Sequence, residues 1–273
     1  MKYVVSLLAA TYLIVAIAVA TLSPSKEEIM KRVIGPSVQV AYFEGMGGAV
    51  SSWKTAGSGT VFKCEKGTFV ITAGHVISGA REEIEEEEHV EGDKNSPQDS
   101  GARGKKYKFN DVVVIVQREK DGVITGELRL RAKVIGYSPE EERGGDDVAV
   151  LQPYEGDLLP YGALPLPPDA EVYPGQHVYH VGSLLGELVN SVSFGVIAST
   201  SRMYKNKPFI QLDTTALPGS SGGGIFVVVD SRCYYAGILT RGAGETVNLA
   251  VPLKRVRETL KRWKMEWILD TAK

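Results

Sequence analysis

Short apolar runs, separated by glycine or by charged residues, follow one another along most of the chain from Val33 onward. G-T-F-V-I-T-A, D-V-A-V-L and S-V-S-F-G-V-I-A-S-T are typical, and they are rich in Val, Ile, Thr and aromatic residues. Runs of this composition favour β-strands, and their close spacing argues against alternating strands and helices. The 30 glycines and 13 prolines provide the turns between them. We therefore predict an all-β fold.

The end of the chain has a helical periodicity instead. Behind Pro252, which suits the first position of a helix, apolar side chains recur at spacings of three and four residues. These side chains are Leu253, Val256, Leu260, Trp263 and Trp267. The pattern predicts a C-terminal helix whose apolar face packs on the second half of the chain.

Residues 1–22 form a separate N-terminal segment, because Tyr3 to Leu22 carries no charge. About twenty apolar residues are enough to cross a bilayer as a helix. Ala18-Val19-Ala20 also fits the small-residue site at which a signal peptide is cleaved. We predict an apolar helix that is either an uncleaved membrane anchor or a removed signal peptide. If the N-terminus stays inside, both place the rest outside the cytosol, membrane-anchored, secreted or periplasmic.

The remaining boundaries follow from composition. Residues 23–32 read as a linker, 33–267 as the folded domain and 268–273 as a tail. Within the domain, residues 80–106 are highly charged and contain few apolar side chains, which is typical of a surface insertion. The chain has 31 basic and 33 acidic residues, so nothing in its charge indicates a nucleic-acid partner.

The two cysteines, Cys64 and Cys233, are expected to be small buried residues rather than a disulfide. No feature of the sequence brings their Cα atoms within bridging distance.

The glycine-rich stretch Gly219-Ser220-Ser221-Gly222-Gly223 fits two kinds of nucleophilic serine. In the nucleophile elbow of an α/β hydrolase the catalytic histidine follows the serine, but all 4 histidines here precede Ser221. The subtilisin order needs an aspartate before the histidine, and the first aspartate, Asp93, comes after His75. The order His, Asp, Ser remains.

Three residues fill this order in suitable surroundings. His75 ends the apolar run F-V-I-T-A-G-H, and Asp147 opens D-V-A-V-L, with Asp146 expected on the opposite face. Glycines beside Ser221 allow backbone N–H groups to converge on one point. We predict Ser221 as nucleophile, His75 as general base and Asp147 as the residue that orients His75. This chemistry needs no metal and no organic cofactor.

The remaining histidines do not indicate a metal site. His177 and His180 are three residues apart in a predicted strand and so face opposite ways. His89 belongs to the charged insertion and is expected to be solvated.

The blocks T-A-G-H-V, D-D-V-A-V-L and P-G-S-S-G-G resemble the three catalytic blocks of trypsin-like (chymotrypsin-fold) serine peptidases, most closely the HtrA or DegP-like branch. G-S-G-T-V-F, F-I-Q-L-D-T-T-A and N-L-A-V-P-L-K-R-V add to the resemblance, which extends over about residues 33–262. It implies two six-stranded antiparallel β-barrels with the triad between them. It also implies a serine endopeptidase that acts on proteins or peptides through an acyl-enzyme, with the amides of Gly219 and Ser221 as oxyanion hole.

The resemblance also indicates a substrate pocket lined by Thr215, Ala216, Leu239, Thr240 and Arg241. No acidic residue occurs between Thr214 and Ser221, so a preference for a small or medium apolar side chain is expected rather than one for Lys or Arg.

Two departures from the family pattern leave alternatives open. Ser220 stands where Asn or Asp usually precedes the nucleophile, and Gly224 stands where proline often follows S-G-G. A latent or inactive trypsin-like scaffold that binds protein partners is therefore one alternative. A membrane-associated structural protein is the other. The sequence ends near the predicted helix, so regulation by a PDZ domain, which HtrA proteins carry, is not expected from the resemblance.

Overall fold

The structure is a computed structural model in which the N-terminal apolar segment and most of the charged insertion lie outside the described residues. The described residues are 23–44, 52–83, 107–110, 112–120, 123–139, 145–185, 187–242 and 246–271. Within these ranges, none of the helices has the length and apolar character needed to span a bilayer.

Six strands of the first half close into a barrel in the order β1-β2-β3-β8-β7-β6, with β6 pairing back onto β1. Their bounds are β1 Ser37–Glu44, β2 Ser52–Cys64, β3 Gly67–Thr72, β6 Val112–Lys120, β7 Val123–Ser138 and β8 Val148–Pro153. Two short strands, β4 Arg81–Glu83 and β5 Tyr107–Phe109, pair separately and flank the charged insertion. Every pairing in the barrel is antiparallel, as the family resemblance implies.

The second half contains six further antiparallel strands in the order β10-β11-β14-β13-β12-β9, and β9 pairs with both β10 and β12. Their bounds are β9 His177–Leu184, β10 Leu188–Tyr204, β11 Lys207–Leu212, β12 Gly224–Val229, β13 Arg232–Gly242 and β14 Asn248–Pro252. The prediction of a mostly β chain is confirmed.

One continuous apolar core joins the two halves. The ring of Phe62 in β2 meets the ring of Tyr235 in β13 edge-on, with centroids 4.9 Å apart. Phe226 in β12 packs on the same tyrosine at 5.8 Å. Because these rings are fully buried, the two halves are packed against each other and define the position of any site between them.

The segment predicted as a linker is helical over most of its length. A short helix, α1 Lys26–Ile29, begins after the capping residue Ser25 and continues as a π-helical turn, Met30–Ile34. Val33 is fully buried, and the Glu28 carboxylate accepts the backbone N–H of Cys233 at 3.3 Å. These contacts with the body of the protein order a segment whose composition alone is that of a linker.

The C-terminal helix is present as α2 Leu253–Arg262, with Pro252 just before it as the capping residue. Its buried side chains include Leu253, Val256 and Leu260, as predicted. The helix packs on β13 and β14 of the second half, as predicted. Trp263 and Trp267 lie beyond α2 and reach the first half instead. A Cβ atom placed on Gly136 of β7 would lie 2.7 Å from the Trp263 ring.

The chain end packs on the first half as well. The Trp267 ring meets Phe69 of β3 at 5.0 Å, and Thr271 bridges to Cys64 of β2. Since Ile268 and Leu269 are buried, the predicted tail begins with core residues. Both cysteines are free thiols, and Cys233 is fully buried while Cys64 is partly buried, which confirms the prediction of unpaired cysteines.

Candidate active site

The imidazole of His75 and the carboxylate of Asp147 form a close pair. β3 ends at Thr72, and His75 lies in the 3₁₀ segment Gly74–Ala80 that follows. Its Nδ1 atom lies 2.9 Å from one carboxylate oxygen of Asp147 and 3.0 Å from the other. The backbone N–H of His75 donates to the same carboxylate at 2.8 Å. Asp147 is buried and the His75 side chain is 36% exposed, so a partly accessible ring is held from its buried edge.

The two adjacent aspartates point in different directions. Asp146 faces α2, where the Thr259 hydroxyl donates to it at 2.8 Å, while Asp147 faces His75. This agrees with the expected divergence, although the cause differs. Asp147 precedes the first residue of β8, Val148, and has a left-handed backbone with φ +58°, which is uncommon for a residue other than glycine. The turn, and not alternation along a strand, separates the two carboxylates.

Ser220 and Ser221 have different surroundings. Ser220 is 1% exposed, and its hydroxyl accepts the backbone N–H of Leu217 at 3.2 Å, so it belongs to the internal bonding of the loop. Ser221 is partly exposed, and its hydroxyl has no hydrogen-bond partner among the described residues. The Ser220 carbonyl accepts the N–H of Gly223 at 3.0 Å. Because C=O and N–H of a trans peptide point in opposite directions, the Ser221 N–H is turned the other way.

The amide of Gly219 is oriented by a similar bond. The preceding carbonyl, that of Pro218, accepts the N–H of Leu185 at 2.7 Å, so the Gly219 N–H points away from Leu185. Gly219 has φ +93°, a conformation that glycine adopts without strain. Within the described part of the chain, neither the Gly219 nor the Ser221 amide has an acceptor. Two oriented donors are therefore available on the loop.

The serine loop and the histidine turn meet at β2. A Cβ atom placed on Gly57 would lie 2.6 Å from the carbonyl oxygen of Ser221 and 2.7 Å from a methyl group of Val76. Val76 is the residue after His75, so the serine loop and the turn that carries His75 both lie against the same glycine. Only glycine leaves space for this approach, which brings together residues that are far apart in the sequence.

Ser58, the next residue in β2, connects the two halves through hydrogen bonds that sequence reasoning did not assign. Its hydroxyl donates to the Gly219 carbonyl at 2.7 Å and accepts the N–H of Ser183 at 2.8 Å. Its backbone N–H donates to the Ser221 carbonyl at 2.8 Å, and its carbonyl accepts from Thr72 at 2.6 Å. The motif G-S-G-T-V-F contains this serine, but its bonds depend on residues about half a chain away.

A cavity of about 400 Å³ lies beside Ser221. Its lining residues are Ala216, Leu217, Pro218, Ser220, Ser221, Leu239, Arg241 and Gly242. Ala216, Leu239 and Arg241 were predicted, but Thr215 and Thr240 are not among the lining residues. Thr240 lies between the lining residues Leu239 and Arg241 in β13, and successive side chains of a strand point to opposite faces. Thr240 therefore points away from the cavity and is 4% exposed.

His177 and His180 face opposite sides of β9, as predicted. His177 is exposed and stacks on Phe194, with ring centroids 5.1 Å apart. His180 is 1% exposed, its Nδ1 lies 3.2 Å from the Gly224 carbonyl, and burial lowers its pKa to about 4. In the described ranges no three His, Cys, Asp or Glu side chains gather into a potential metal site.

Curated relatives of the chain are bacterial. It is 34% identical over 134 residues to a protein of Pseudomonas fluorescens named "Probable periplasmic serine endoprotease DegP-like", a match that covers 45% of this chain and 25% of the relative. A protein of the same name from Hahella chejuensis is 32% identical over 145 residues, covering 50% of this chain and 28% of the relative. The matches thus span about a quarter of the relatives' length.

Solved structures share the fold. "HtrA-type protease AlgW with tripeptide" superposes with a TM-score of 0.58 and 21% identity, over 89% of this chain and 64% of that chain. "Crystal structure of the serine endoprotease from Yersinia pestis" gives a TM-score of 0.56 and 18% identity, over 91% of this chain and 68% of that chain. At this identity the likeness concerns the fold alone.

Residues 57–233 match the family described as "Trypsin-like peptidase domain". The matched region contains His75, Asp147 and Ser221 together with the loops around them. Because the match covers more than half of the chain, the protein belongs to the trypsin-like peptidase family.

Proposed function

We propose that the protein is a serine endopeptidase that hydrolyses peptide bonds through an acyl-enzyme on Ser221. One observation carries the proposal: the Asp147 carboxylate binds both the ring and the backbone N–H of His75, on the turn that lies against the serine loop. A carboxylate at Nδ1 keeps the proton on that nitrogen, which leaves Nε2 as the base.

The chemistry follows from these roles. His75 Nε2 takes the proton of the Ser221 hydroxyl while Oγ attacks the carbonyl carbon of the substrate, and Asp147 stabilises the imidazolium that results. The imidazolium then gives its proton to the leaving amine, and the C–N bond breaks. Water, deprotonated by the same histidine, attacks the ester and releases Ser221.

The amides of Gly219 and Ser221 are proposed to bind the oxyanion. Their orientation by the bonds to the Pro218 and Ser220 carbonyls supports this, as does the absence of an acceptor for either amide among the described residues. Donors that are oriented in advance need no reorganisation when charge develops on the oxygen, and losing one typically costs about 3–4 kcal/mol of barrier lowering.

The finer points of fold, substrate and location are part of the proposal. We place the triad between two six-stranded barrels, as the order of pairings in both halves suggests. Proteins or peptides are the proposed substrates, in line with the tripeptide that accompanies the similar HtrA-type protease AlgW. The relatives from Pseudomonas and Hahella are named as periplasmic, which supports a location outside the cytosol. Cleavage or retention of residues 1–22 stays a prediction.

A second candidate, a latent or inactive scaffold that binds protein partners, is favoured by one observation. The Ser221 hydroxyl and the His75 ring make no hydrogen bond to each other in the structure. Catalytic hydrogen bonds are often long before substrate binds, so the distinction requires an experiment.

Labelling of the full chain with a fluorophosphonate probe tests the proposal, since the probe reacts only with a serine that has a working base and oxyanion hole. We expect the parent to be labelled, Ser221→Ala to be unlabelled, and Ser220→Ala to be labelled more slowly because its loop loses one internal bond. A folded parent that is not labelled would contradict the peptidase and favour the scaffold. Labelling that disappears with Ser220 and persists without Ser221 would contradict the assignment of the nucleophile.

A further inference from the structure

Ser58 lies in the first half of the chain and is bonded to two segments of the second half. Its hydroxyl donates to the Gly219 carbonyl at 2.7 Å and accepts the N–H of Ser183 at 2.8 Å. Its backbone N–H donates to the Ser221 carbonyl at 2.8 Å. Because Ser58 is fully buried, water does not compete for these bonds. Ser58 therefore fixes the serine loop relative to the half of the chain that carries His75.

The carbonyl groups of residues 218–221 each accept one hydrogen bond. Ser58 donates two of these four bonds, from its hydroxyl to Gly219 and from its backbone N–H to Ser221. A trans peptide is planar, so a carbonyl that is held in place also holds the N–H of the next residue. The carbonyl of Gly219 belongs to the peptide that lies between the two amides proposed to bind the oxyanion. The hydroxyl of Ser58 thus acts at the centre of the oxyanion loop.

The Gly219 carbonyl depends on this bond because glycine itself restricts the backbone little. Gly219 has φ +93° and no side chain, so other backbone conformations are open to it at low cost. It is also partly exposed, and a carbonyl that has lost the Ser58 hydroxyl can turn toward water to regain a partner. Such a rotation changes the direction of the amides on either side.

We propose that Ser58 is a positioning residue for the oxyanion hole: its hydroxyl holds the Gly219 carbonyl and thereby the direction of the two proposed oxyanion donors. This inference rests on the peptidase function proposed above and adds to it a residue outside the triad. Ser58 is buried behind the loop and acts through it, without contact to the substrate. Because the donors stabilise charge that develops only in the transition state, the hydroxyl affects the rate of the chemical step and not the binding that precedes it.

Fluorophosphonate labelling of full-length Ser58→Ala and of the parent tests this role. A series of probe concentrations separates kinact, the maximal rate of labelling, from KI, the concentration that gives half of this rate. We expect kinact to fall about tenfold to a hundredfold, which is less than the loss of an entire donor, because both donors remain but are less well oriented. KI should change by less than about twofold, because contacts in the ground state are kept.

The pH dependence of kinact shows which catalytic group is affected. It reports the protonation of His75, whose bonds to Asp147 do not involve Ser58. The midpoint of the profile should therefore be the same in Ser58→Ala and in the parent. A shifted midpoint would contradict the proposal, since the loss would then act through the histidine and not through the oxyanion donors.

Gln176→Met is the matched control. The side chain of Gln176 is buried, donates to the Val228 carbonyl at 3.4 Å and accepts the N–H of Tyr173 at 3.3 Å, so it makes the same two kinds of bond as the Ser58 hydroxyl. Neither partner belongs to the serine loop. The variant should lower the Tm and leave kinact unchanged.

Ser58→Cys provides a second variant of the same residue. Its thiol is close to the hydroxyl in shape but is a weak donor, so kinact should lie between the values of the parent and of Ser58→Ala. Thermal unfolding identifies the temperatures at which each variant is folded, and rates are compared below them. If Ser58→Ala does not fold, the comparison of Ser58→Cys with the parent decides.

Two further results would overturn the proposal. One is a kinact in the folded Ser58 variants that equals that of the parent. The other is an equal fall in Gln176→Met, which would make the effect a general consequence of lost stability. A folded parent that is not labelled rejects the peptidase itself, whereas a labelled parent with unchanged rates in the Ser58 variants rejects only the role of Ser58.

Discussion

Replacement of Asp146 by Asn tests how the C-terminal helix is attached to the loop that carries Asp147. The Asp146 carboxylate accepts hydrogen bonds from Thr259 at 2.8 Å, from Lys207 at 3.2 Å and from Arg255 at 3.3 Å, and also from Arg262. One buried carboxylate thus joins α2, β11 and the start of β8.

The expected loss is dominated by Arg255. Its side chain is 8% exposed and would lose its carboxylate, whereas the side chains of Lys207 and Arg262 are 26% and 56% exposed and are solvated more easily. Removing one partner of a buried ion pair costs about 3–5 kcal/mol. We take about 3 kcal/mol, because Arg255 still donates to the Pro208 carbonyl at 3.0 Å. At 2–4 °C per kcal/mol for a chain of this size, the Tm should fall by roughly 6–12 °C.

The effect should depend on pH in a defined direction. Burial alone raises the pKa of Asp146, but hydrogen bonds from Thr259 and Arg262 and the charge of Lys207 outweigh it and lower the pKa below its ordinary value of 3.8. A carboxylate with a lowered pKa stabilises the fold above its unfolded pKa, and this stabilisation is lost as the pH falls through the folded pKa. The difference between parent and Asp146→Asn should therefore narrow below about pH 4.

Urea and thermal unfolding at pH 7, repeated down to pH 3, measure both effects. Arg262→Gln is the control, because it removes the most exposed partner and should cost less than about 1 kcal/mol. The reasoning is refuted if Asp146→Asn costs as little as this control, or if the difference stays constant at low pH. Asp147, which orients His75, follows Asp146 directly and has an uncommon left-handed backbone. Loss of the Asp146 bonds should disturb this backbone, so the folded variant should also be labelled more slowly by fluorophosphonate.

Three further outcomes are expected. Burial lowers the pKa of His180 to about 4, so the free energy of unfolding should fall by about 3 kcal/mol between pH 6.5 and pH 4, where the unfolded chain binds a proton that the folded chain does not. Urea unfolding at several pH values should show a smaller pH dependence in His180→Gln than in the parent, and an equal dependence in both proteins would contradict this expectation. Gly222→Ala should lower the free energy of unfolding by about 3 kcal/mol or more and abolish fluorophosphonate labelling, because its Cβ would lie 2.1 Å from the Ser58 carbonyl oxygen. Gly175→Ala is the control: its φ is also +86° but the space around it is open, so it should lower the free energy of unfolding by only about 1–2 kcal/mol through backbone strain. Iodoacetamide at pH 8 should modify Cys64 and spare Cys233 in the folded protein, because burial, with a smaller effect of the Glu28 charge, raises the pKa of Cys233 to about 12. Mass spectrometry identifies the modified cysteine, and modification of Cys233 before Cys64 would contradict this expectation.

Some features of this protein could be predicted because they are local or depend only on chain order. The short apolar runs of β3 and β8 are visible in a few consecutive letters, and their composition predicts a mostly β chain. The order of His75, Asp147 and Ser221 excludes two other arrangements of the same residues without any coordinates. Local glycines likewise indicate where the chain turns beside Ser221.

Interpretations failed where distant contacts override local composition. Residues 23–32 have the composition of a linker, yet they are largely helical, held by the bond between Glu28 and Cys233 and by burial of the adjoining Val33. Trp267 fits the helical stripe of α2 but leaves the helix to pack on Phe69. In both cases the deciding energy comes from surface that is buried against another part of the chain.

The sequence by itself determined the class of fold, the candidate triad and the family, because composition and motif are properties of neighbouring letters and the order of residues is read directly along the chain. The tertiary structure alone decided that Ser58 holds the serine loop, that Leu185 orients the amide of Gly219 and that Asp146 is bound to α2. It also decided that Arg241 lies between Tyr204 and the cavity. Hydrogen bonds and ion pairs act over a few ångströms, and their partners in this protein are separated by up to 205 residues, as between Glu28 and Cys233, so no local pattern records them.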